Sequence, residues 1–302
     1  MTEHGNVEHV IVAVDGGNAS AAAISWVIAR SATVDLEVEV TTVVEAELYL
    51  PGGAEIDYRT FFERVLHEAR ERVVAAAPNL RVVDSVRTGM PAHVLIELSR
   101  ESDLLVIGTG KTGIVTGILH GTLPLKIAGR AACPTVVVPS TWRATTGPVV
   151  LAWDSDESAE RALVFAAAEA ERLGVPLEIV HAWPVPPMGV ESVGTAELVG
   201  DVIDTHRDLL AKAAEGVRAG HPGLEVTERL VSSPASVGVV EAARGASLVV
   251  TGAHGRGTIG GLFLGSVSHD ILLNMPAPVA VVPGPTHRRR RGERSRHVPA
   301  EA

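Results

Sequence analysis

The sequence is poor in the residues that mark several common classes of protein. It contains one cysteine, Cys133, among 302 residues, which excludes an intramolecular disulfide framework and favours a reducing compartment. Aromatic residues make up only 3% of the chain, so its cores must be built from Ala, Val, Leu and Ile, as those of buried parallel sheets are. No apolar run has the length of a membrane span, and no secretory signal is visible at the N-terminus. We therefore expect a cytoplasmic protein that does not enter the membrane.

Charge is distributed unevenly along the chain. The net charge is −10, yet the segment 287–302 holds six Arg and only two Glu. We predict that this segment is a disordered, solvated tail, because it has almost no apolar residue with which to form a core. A tail of this composition can contact nucleic acid or anionic lipid. The acidic body of the chain opposes nucleic-acid binding, so we do not expect that function.

The stretch GTGKTG, residues 108–113, looks like the phosphate-binding loop of a nucleotide hydrolase. That loop requires a glycine six positions before its lysine, so that backbone N–H groups can wrap around the phosphates. The lysine is Lys111, and the residue six positions earlier is Leu105, inside an apolar run. The match is therefore partial, and the repeat structure of the chain explains it better.

The chain contains the same pattern twice. The segment HVIVAVDGGNASAAAISW parallels PVVLAWDSDESAERALVF, which aligns Asp15 with Asp154 at an offset of 139 residues. The offset grows to 144 by the glycine-rich segments and stays there through CPTVVVPS and APVAVVPG. A steady register of this kind indicates duplication, with five extra residues around 184–200 of the second copy. We place the boundary at residue 143, giving domains 1–143 and 144–286.

Within each copy, β-branched apolar runs alternate with helical patterns rich in Ala and Leu. Such alternation predicts parallel sheets covered by helices on both faces. Strands are expected near 9–14, 36–44, 80–87, 103–108 and 134–139, and again near 148–153, 177–183, 224–231, 247–252 and 277–283. The predicted fold class is α/β: two tandem doubly wound, Rossmann-like domains with five-stranded parallel sheets, related by a pseudo-two-fold axis.

Ligands of such sheets bind beyond the carboxyl ends of the strands, where the strand order reverses. Asp15 and Asp154 each follow a first strand, and a glycine cluster follows each fourth strand. In the second copy Gly252, Gly255 and Gly265-Ser266 form the pattern G-x2-G-x9-G-S. Glycines let a backbone turn approach phosphate oxygens, and a helix start beside Ser266 offers free N–H groups to an anion.

This pattern resembles the ATP-binding signature of the universal stress protein family, and the resemblance covers both copies almost from end to end. It implies the adenine nucleotide alpha-hydrolase-like version of the Rossmann fold and a site for ATP, with Mg²⁺ carried by the nucleotide. It also implies that an acid at the first strand holds the ribose and that backbone of the second strand meets adenine. The residues in these places in the second copy are Ala152, Asp154, Ala182, Thr251, Gly252, Gly255, Gly265, Ser266 and Val267. Arg256, in the same loop, can reach the triphosphate, and the alternative is a solvated loop arginine.

The first copy departs from the pattern at one place. Lys111 stands where the second copy has Gly255, which adds a side chain where backbone is expected to meet phosphate. The remaining positions of the first-copy site are Asp15, Val43, Gly108, Gly121 and Thr122. Whether this copy binds nucleotide stays open on the sequence.

Three functional classes remain. Neither copy shows a nucleophile, base and acid at catalytic spacing, and no metal site is indicated, so dedicated enzymatic turnover is not expected. We predict an ATP-binding, nucleotide-dependent sensor or regulator in stress adaptation. The alternatives are a slow ATP hydrolase of the same fold and an interaction module whose nucleotide sites are both degenerate.

The closing strands CPTVVVPS and APVAVVPG bear on how the chain assembles. In the family the resemblance names, this strand mediates dimerisation, so the chain is expected to form a homodimer or an internal pseudo-dimer, with a further protein partner unknown. The alternative is an ordinary edge strand protected by its flanking prolines.

Overall fold

The computed structural model describes residues 7–45, 58–110, 122–154, 157–183, 195–253 and 264–284. The first half contains β1 (Glu8–Ala13), α1 (Asn18–Ser31), β2 (Leu36–Val44), α2 (Tyr58–Ala76), β3 (Arg81–Thr88), α3 (Pro91–Leu98), β4 (Leu104–Thr109), α4 (Thr122–Ala128) and β5 (Thr135–Pro139). The second contains β6 (Val149–Ala152), α5 (Glu157–Leu173), β7 (Leu177–Ala182), α6 (Thr195–Gly220), β8 (Val226–Val231), α7 (Ala235–Ala242), β9 (Leu248–Gly252), α8 (Ser266–Leu273) and β10 (Val279–Val282).

The strands form one continuous ten-stranded sheet in the order β3-β2-β1-β4-β5-β10-β9-β6-β7-β8. The order of the second half is the reverse of that of the first, which is the arrangement a two-fold axis between β5 and β10 produces. Every strand pair within a half is parallel, and the β5–β10 pair alone is antiparallel. The predicted α/β class, strands and pseudo-two-fold are therefore present.

The closing strands do pair with each other, so neither is an edge strand. Val136 lies opposite Ala280, flanked by the pairs Val137–Val279 and Thr135–Val281. All residues of both strands are buried. The pairing joins the two five-stranded sheets, and these apolar strands would otherwise leave their N–H and C=O groups unpaired.

The core is organised by the faces of the sheet and not by the halves of the chain. One apolar cluster packs α1, α2, α5 and α6 on one face, and the other packs α3, α4, α7 and α8 on the opposite face. Each cluster contains strand residues of both halves, such as Val136 and Val250 in the first and Val137 and Val249 in the second. The central strand pair connects the two halves because it is buried on both faces.

The free edges of the ten-stranded sheet are β3 and β8. Both strands present charged side chains, and their arginines are paired with carboxylates on the next strand inward. Arg87 of β3 donates to Glu39 of β2 at 3.0 Å, and Arg229 of β8 lies 3.6 Å from Glu178 of β7. Charged residues on an edge strand oppose the addition of a further strand.

No helix within the described ranges has the length and apolar character that crossing a membrane requires.

Cys133 is enclosed between α4 and β5 and is 5% exposed. Burial raises the pKa of its thiol to about 11, against an ordinary value of 9.0, and the hydroxyl of Ser102 lies 3.4 Å from its sulfur. The thiolate is the reactive form of cysteine, so the native environment suppresses its chemistry.

We therefore expect a thiol reagent to leave the folded protein unmodified at pH 8 and to label one thiol per chain after unfolding. The raised pKa also means that the native state retains a proton which the unfolded chain loses above pH 9. The contribution of this thiol to stability should fall as the pH rises from about 9 to 11, and Cys133→Ala should remove that part of the pH dependence. Rapid labelling of the folded protein would contradict this assignment.

Candidate functional site

The strand order reverses twice in this sheet, once in each half. The first strand of each half lies between the second and the fourth, so β1 separates β2 from β4, and β6 separates β7 from β9. The connections from neighbouring strands leave in opposite directions at such a point, which opens a crevice at the carboxyl ends. Asp15 follows β1 and Asp154 follows β6 at these two places.

In the second half, the register of β6 and β9 brings the predicted residues together. Ala152 is the partner of Thr251, so Asp154 and the turn after Gly252 leave adjacent strands at the same edge of the sheet. Ala152 and Thr251 are buried, and Asp154 is half-buried. Gly252 itself is the last residue of β9 and pairs with Val282, so it belongs to the strand and the turn begins at Ala253.

Helix α8 is held to this edge by side-chain hydrogen bonds. Ser268 in its first turn donates its hydroxyl to the carbonyl oxygen of Gly252 at 2.6 Å and lies 3.0 Å from the hydroxyl of Thr251. The N–H of Gly265 donates to the carbonyl oxygen of Ala253 at 2.8 Å. Ser268 was not among the predicted site residues, although the repeated serine of GSVS at 265–268 was the available signal.

The N-cap residue of α8 makes no side-chain capping hydrogen bond. Its N-cap residue is Gly265, which is extended and has no side chain with which to cap the helix. The first intrahelical bond runs from the N–H of His269 to the carbonyl oxygen of Gly265, and Ser266 is exposed. The N–H groups of the first turn have no acceptor within the helix, and together with the helix dipole they favour an anion.

The structure thus places Ala152, Asp154, Thr251, Gly252, Gly265, Ser266 and Val267 at the same end of β6, β9 and α8, with Ala182 on the adjoining strand β7. Two predicted residues of this half, Gly255 and Arg256, lie outside the described residues, so their place in the crevice stays a prediction. Among the described residues, no group of three or more His, Cys, Asp or Glu side chains is placed to hold a metal ion.

Two histidines and two tryptophans form a cluster at the same end of β6 and β7. The imidazole Nδ1 of His181 lies 2.9 Å from the carbonyl oxygen of Trp153, and its Nε2 lies 2.8 Å from Nδ1 of His206 on α6. His206 in turn stacks on Trp183, with ring centroids 4.8 Å apart. The sequence pattern does not reveal this cluster, because His206 lies on a long amphipathic helix whose rotation is not evident from spacing.

The contacts of His181 determine its tautomer. A carbonyl oxygen only accepts, so Nδ1 of His181 carries the hydrogen and donates to Trp153. In the neutral ring Nε2 is then an acceptor, and Nδ1–H of His206 donates to it. The hydrogen bond therefore ties α6 to β7 beside Ala182.

We expect His206→Phe to lower the free energy of unfolding by about 1–3 kcal/mol. The substitution keeps an aromatic ring stacked on Trp183, but it leaves Nε2 of the buried His181 without a hydrogen-bond donor. Denaturant unfolding measures this change. The matched control is His221→Phe, which removes a surface pair with Glu171, an exposed residue, and should cost less. Equal losses of unfolding free energy in the two variants would show that the buried hydrogen bond of His181 stabilises the fold no more than the surface pair does.

In the first half, the turn after β1 is held by its own aspartate. One carboxylate oxygen of Asp15 accepts the N–H of Gly17 at 2.8 Å, and Gly16 between them has φ +83°. A side chain on Gly16 would also meet Val65 at 2.9 Å, so this turn requires glycine. Thr122 is the first residue of α4, and Val43 lies near the end of β2. Gly121 and Lys111 lie outside the described residues.

Position 108 requires glycine for a packing reason that the sequence does not reveal. A Cβ atom at this position would lie 2.1 Å from the carbonyl oxygen of Ala19, because the start of α1 packs directly on β4. The residue therefore allows close packing of a helix on a strand, whatever its relation to a ligand.

Gly108→Ala should therefore lower the free energy of unfolding by about 1–3 kcal/mol or more, because the backbone must move to admit the methyl group. Gly110→Ala is the control two residues away, since a Cβ atom there meets no atom of the described residues within 4 Å. That variant should stay within about 0.5 kcal/mol of the parent chain in the same unfolding experiment. A Gly108→Ala protein as stable as the control would refute the close contact.

Comparison with known proteins agrees with this architecture. The sequence profile of the Universal stress protein family matches the chain twice, at residues 6–139 and 146–283. A universal stress protein of Mycobacterium tuberculosis is 30% identical over 287 residues, which cover 90% of this chain and 96% of that protein. The crystal structure of a universal stress protein from Archaeoglobus fulgidus matches with a TM-score of 0.68 at 20% identity, over 91% of this chain and 98% of that one.

A shorter solved structure of the family also matches part of the chain. A universal stress protein from Archaeoglobus fulgidus, solved in complex with dAMP, is 30% identical to this chain. It covers 45% of this chain and 97% of its own, with a TM-score of 0.33.

Proposed function

Because the chain belongs to the universal stress protein family, we propose that its second half binds ATP, with Mg²⁺ carried by the nucleotide. The proposed site is the crevice between the carboxyl ends of β6 and β9. The division of the chain at residue 143 into two domains, the second extending to residue 286, is part of the same proposal.

The N-terminus of α8 is the observation that carries this proposal. Its N-cap is a glycine without a capping side chain, and its first-turn N–H groups have no intrahelical acceptor. Such a donor set fits a polyphosphate, which supplies several anionic oxygens and benefits from the positive end of the helix dipole. The bonds from Ser268 to β9 hold these donors in place before any ligand arrives.

The other residues of the crevice fit the nucleoside part of such a ligand. Asp154 emerges beside the start of the β9 turn and would accept hydrogen bonds from ribose hydroxyls. Ala152 and Thr251 are paired in register and would line the nucleoside. Backbone of Ala182 would meet adenine, and Gly255 and Arg256 would complete the phosphate loop.

The two halves are proposed to differ in nucleotide binding. In the first half Lys111 replaces the glycine that is Gly255 in the second. This difference would weaken the first site relative to the second. We assign the main site to the second half and treat Asp15, Val43, Gly108, Gly121 and Thr122 as the corresponding positions of a weaker one.

The proposed role is that of a regulator in stress adaptation, without dedicated turnover. Bound nucleotide would act by stabilising one arrangement of the loops over another, which requires different affinities for the two arrangements. The pairing of β5 with β10 favours an internal pseudo-dimer over a homodimer formed through the same strands.

The sharpest test removes one backbone donor of α8. Proline is tolerated at the first position of a helix, and the extended Gly265 before it is compatible with proline. Ser266→Pro should therefore keep α8 intact but remove an N–H, and it should weaken ATP binding about tenfold or more. Ser266→Ala removes only the hydroxyl and isolates the side-chain contribution.

Ala235→Pro is the matched control, because it makes the same change at the first position of α7. Binding is measured by calorimetry, and nucleotide released from denatured protein is identified by mass spectrometry. Asp154→Asn should also weaken binding, whereas Asp15→Asn should have a smaller effect. ATP affinity that is unchanged in both Ser266→Pro and Asp154→Asn would refute the assigned site.

A further inference from the structure

Four charged side chains form a network between the two halves. Arg30 on α1 and Glu169 on α5 are 5% and 3% exposed, and Nη1 of Arg30 donates to Oε2 of Glu169 at 2.8 Å. Nε and Nη2 of Arg30 donate to the two carboxylate oxygens of Glu8 at 2.8 and 2.9 Å. Arg172 donates to the same Oε2 of Glu169 at 2.7 Å. The charges thus alternate along the series Glu8, Arg30, Glu169 and Arg172, which we call the seam network.

The electrostatics of this network are favourable despite its burial. Burial by itself would lower the pKa of the Arg30 guanidinium, but Glu169 and Glu8 outweigh it, so the pKa lies above its ordinary value. Arg30 is therefore a permanent cation at the centre of the interface. Removing a single partner of a buried ion pair leaves an uncompensated charge, which is strongly destabilising.

The network lies on the pseudo-two-fold axis. Arg30 and Glu169 are equivalent positions of the two repeats, because they differ by the offset of 139 residues that relates Asp15 to Asp154. Thr33 and Arg172 are also equivalent, and Nη1 of Arg172 donates to the hydroxyl of Thr33 at 2.6 Å. Equivalent positions touch only where a two-fold axis passes between them.

This placement has a consequence for pairing. If two first halves paired in the same way, Arg30 would face a second Arg30, and in a pair of second halves Glu169 would face a second Glu169. Glu8 would still neutralise Arg30, and Arg172 would still neutralise Glu169. The two groups at the axis, however, would be buried against a like charge. Only a first half and a second half place opposite charges across the axis.

We propose that the seam network is a pairing code. It directs the face formed by α1 and β5 onto the face formed by α5 and β10, and it rejects pairing of either face with its own copy. The first half is made before the second, and its strand β5 is apolar on both faces. A like-charge penalty at Arg30 would keep nascent first halves from pairing with one another until the second half is available.

Charge reversal in full-length chains tests this code. One variant, Glu8→Arg with Arg30→Glu, reverses the first-half pair, and the other, Glu169→Arg with Arg172→Glu, reverses the second-half pair. Each alone places like charges across the axis, and we expect the melting temperature to fall by about 5 °C or more. The chain with all four substitutions restores opposite charges and should recover most of this loss.

The decisive measurement is made on a mixture. When the two reversed chains are unfolded and refolded together, opposite charges meet only between different chains, so a 1:1 heterodimer should form, detected by native mass spectrometry and light scattering. The control reverses Arg218 and Glu228, a 2.8 Å pair within the second half, and its mixture with the parent chain should remain monomeric. Two results overturn the proposal. One is a chain with all four substitutions whose melting temperature falls by the sum of the two separate losses. The other is a mixture of the two reversed chains that forms no more heterodimer than the control mixture.

Discussion

The antiparallel contact between β5 and β10 is the constraint on which the rest of the structure depends. Both strands are buried on both faces, and their backbone groups are satisfied only by each other and by one parallel neighbour each. Through this pair the two sheets become one, and the apolar clusters on each face extend through both halves. The charged residues on β3 and β8 then suffice to protect the whole sheet, because the apolar strands are no longer edges.

The candidate site depends on the same sheet through local contacts. The register between β6 and β9 sets Asp154 beside the turn after Gly252, and Ser268 joins the first turn of α8 to that strand. A cluster of aromatic rings around His181 ties α6 to β7 at the neighbouring position. Residues of the candidate site are in this way held by buried hydrogen bonds, so its N–H donors are in place without being ordered by a ligand.

The internal repeat allowed most of the fold to be predicted from the sequence. Periodicity and duplication predicted every strand and the pseudo-two-fold, because a repeated β-α pattern leaves few topologies open. The contact of Gly108 with Ala19 was not predictable, since a glycine in a GTG run gives no sign of what approaches it. Nor was the bond between Arg30 and Glu169, because alignment reveals that two positions are equivalent but not that an axis passes between them.

The opposite directions of β5 and β10 have a geometric consequence. All strands of the first half run with β5 and all strands of the second run with β10, so the carboxyl ends of the two halves point away from each other. The crevices at Asp15 and Asp154 therefore open at opposite margins of the molecule. A protein docked over one crevice leaves the other uncovered, and any influence of one on the other must travel through the width of the shared sheet.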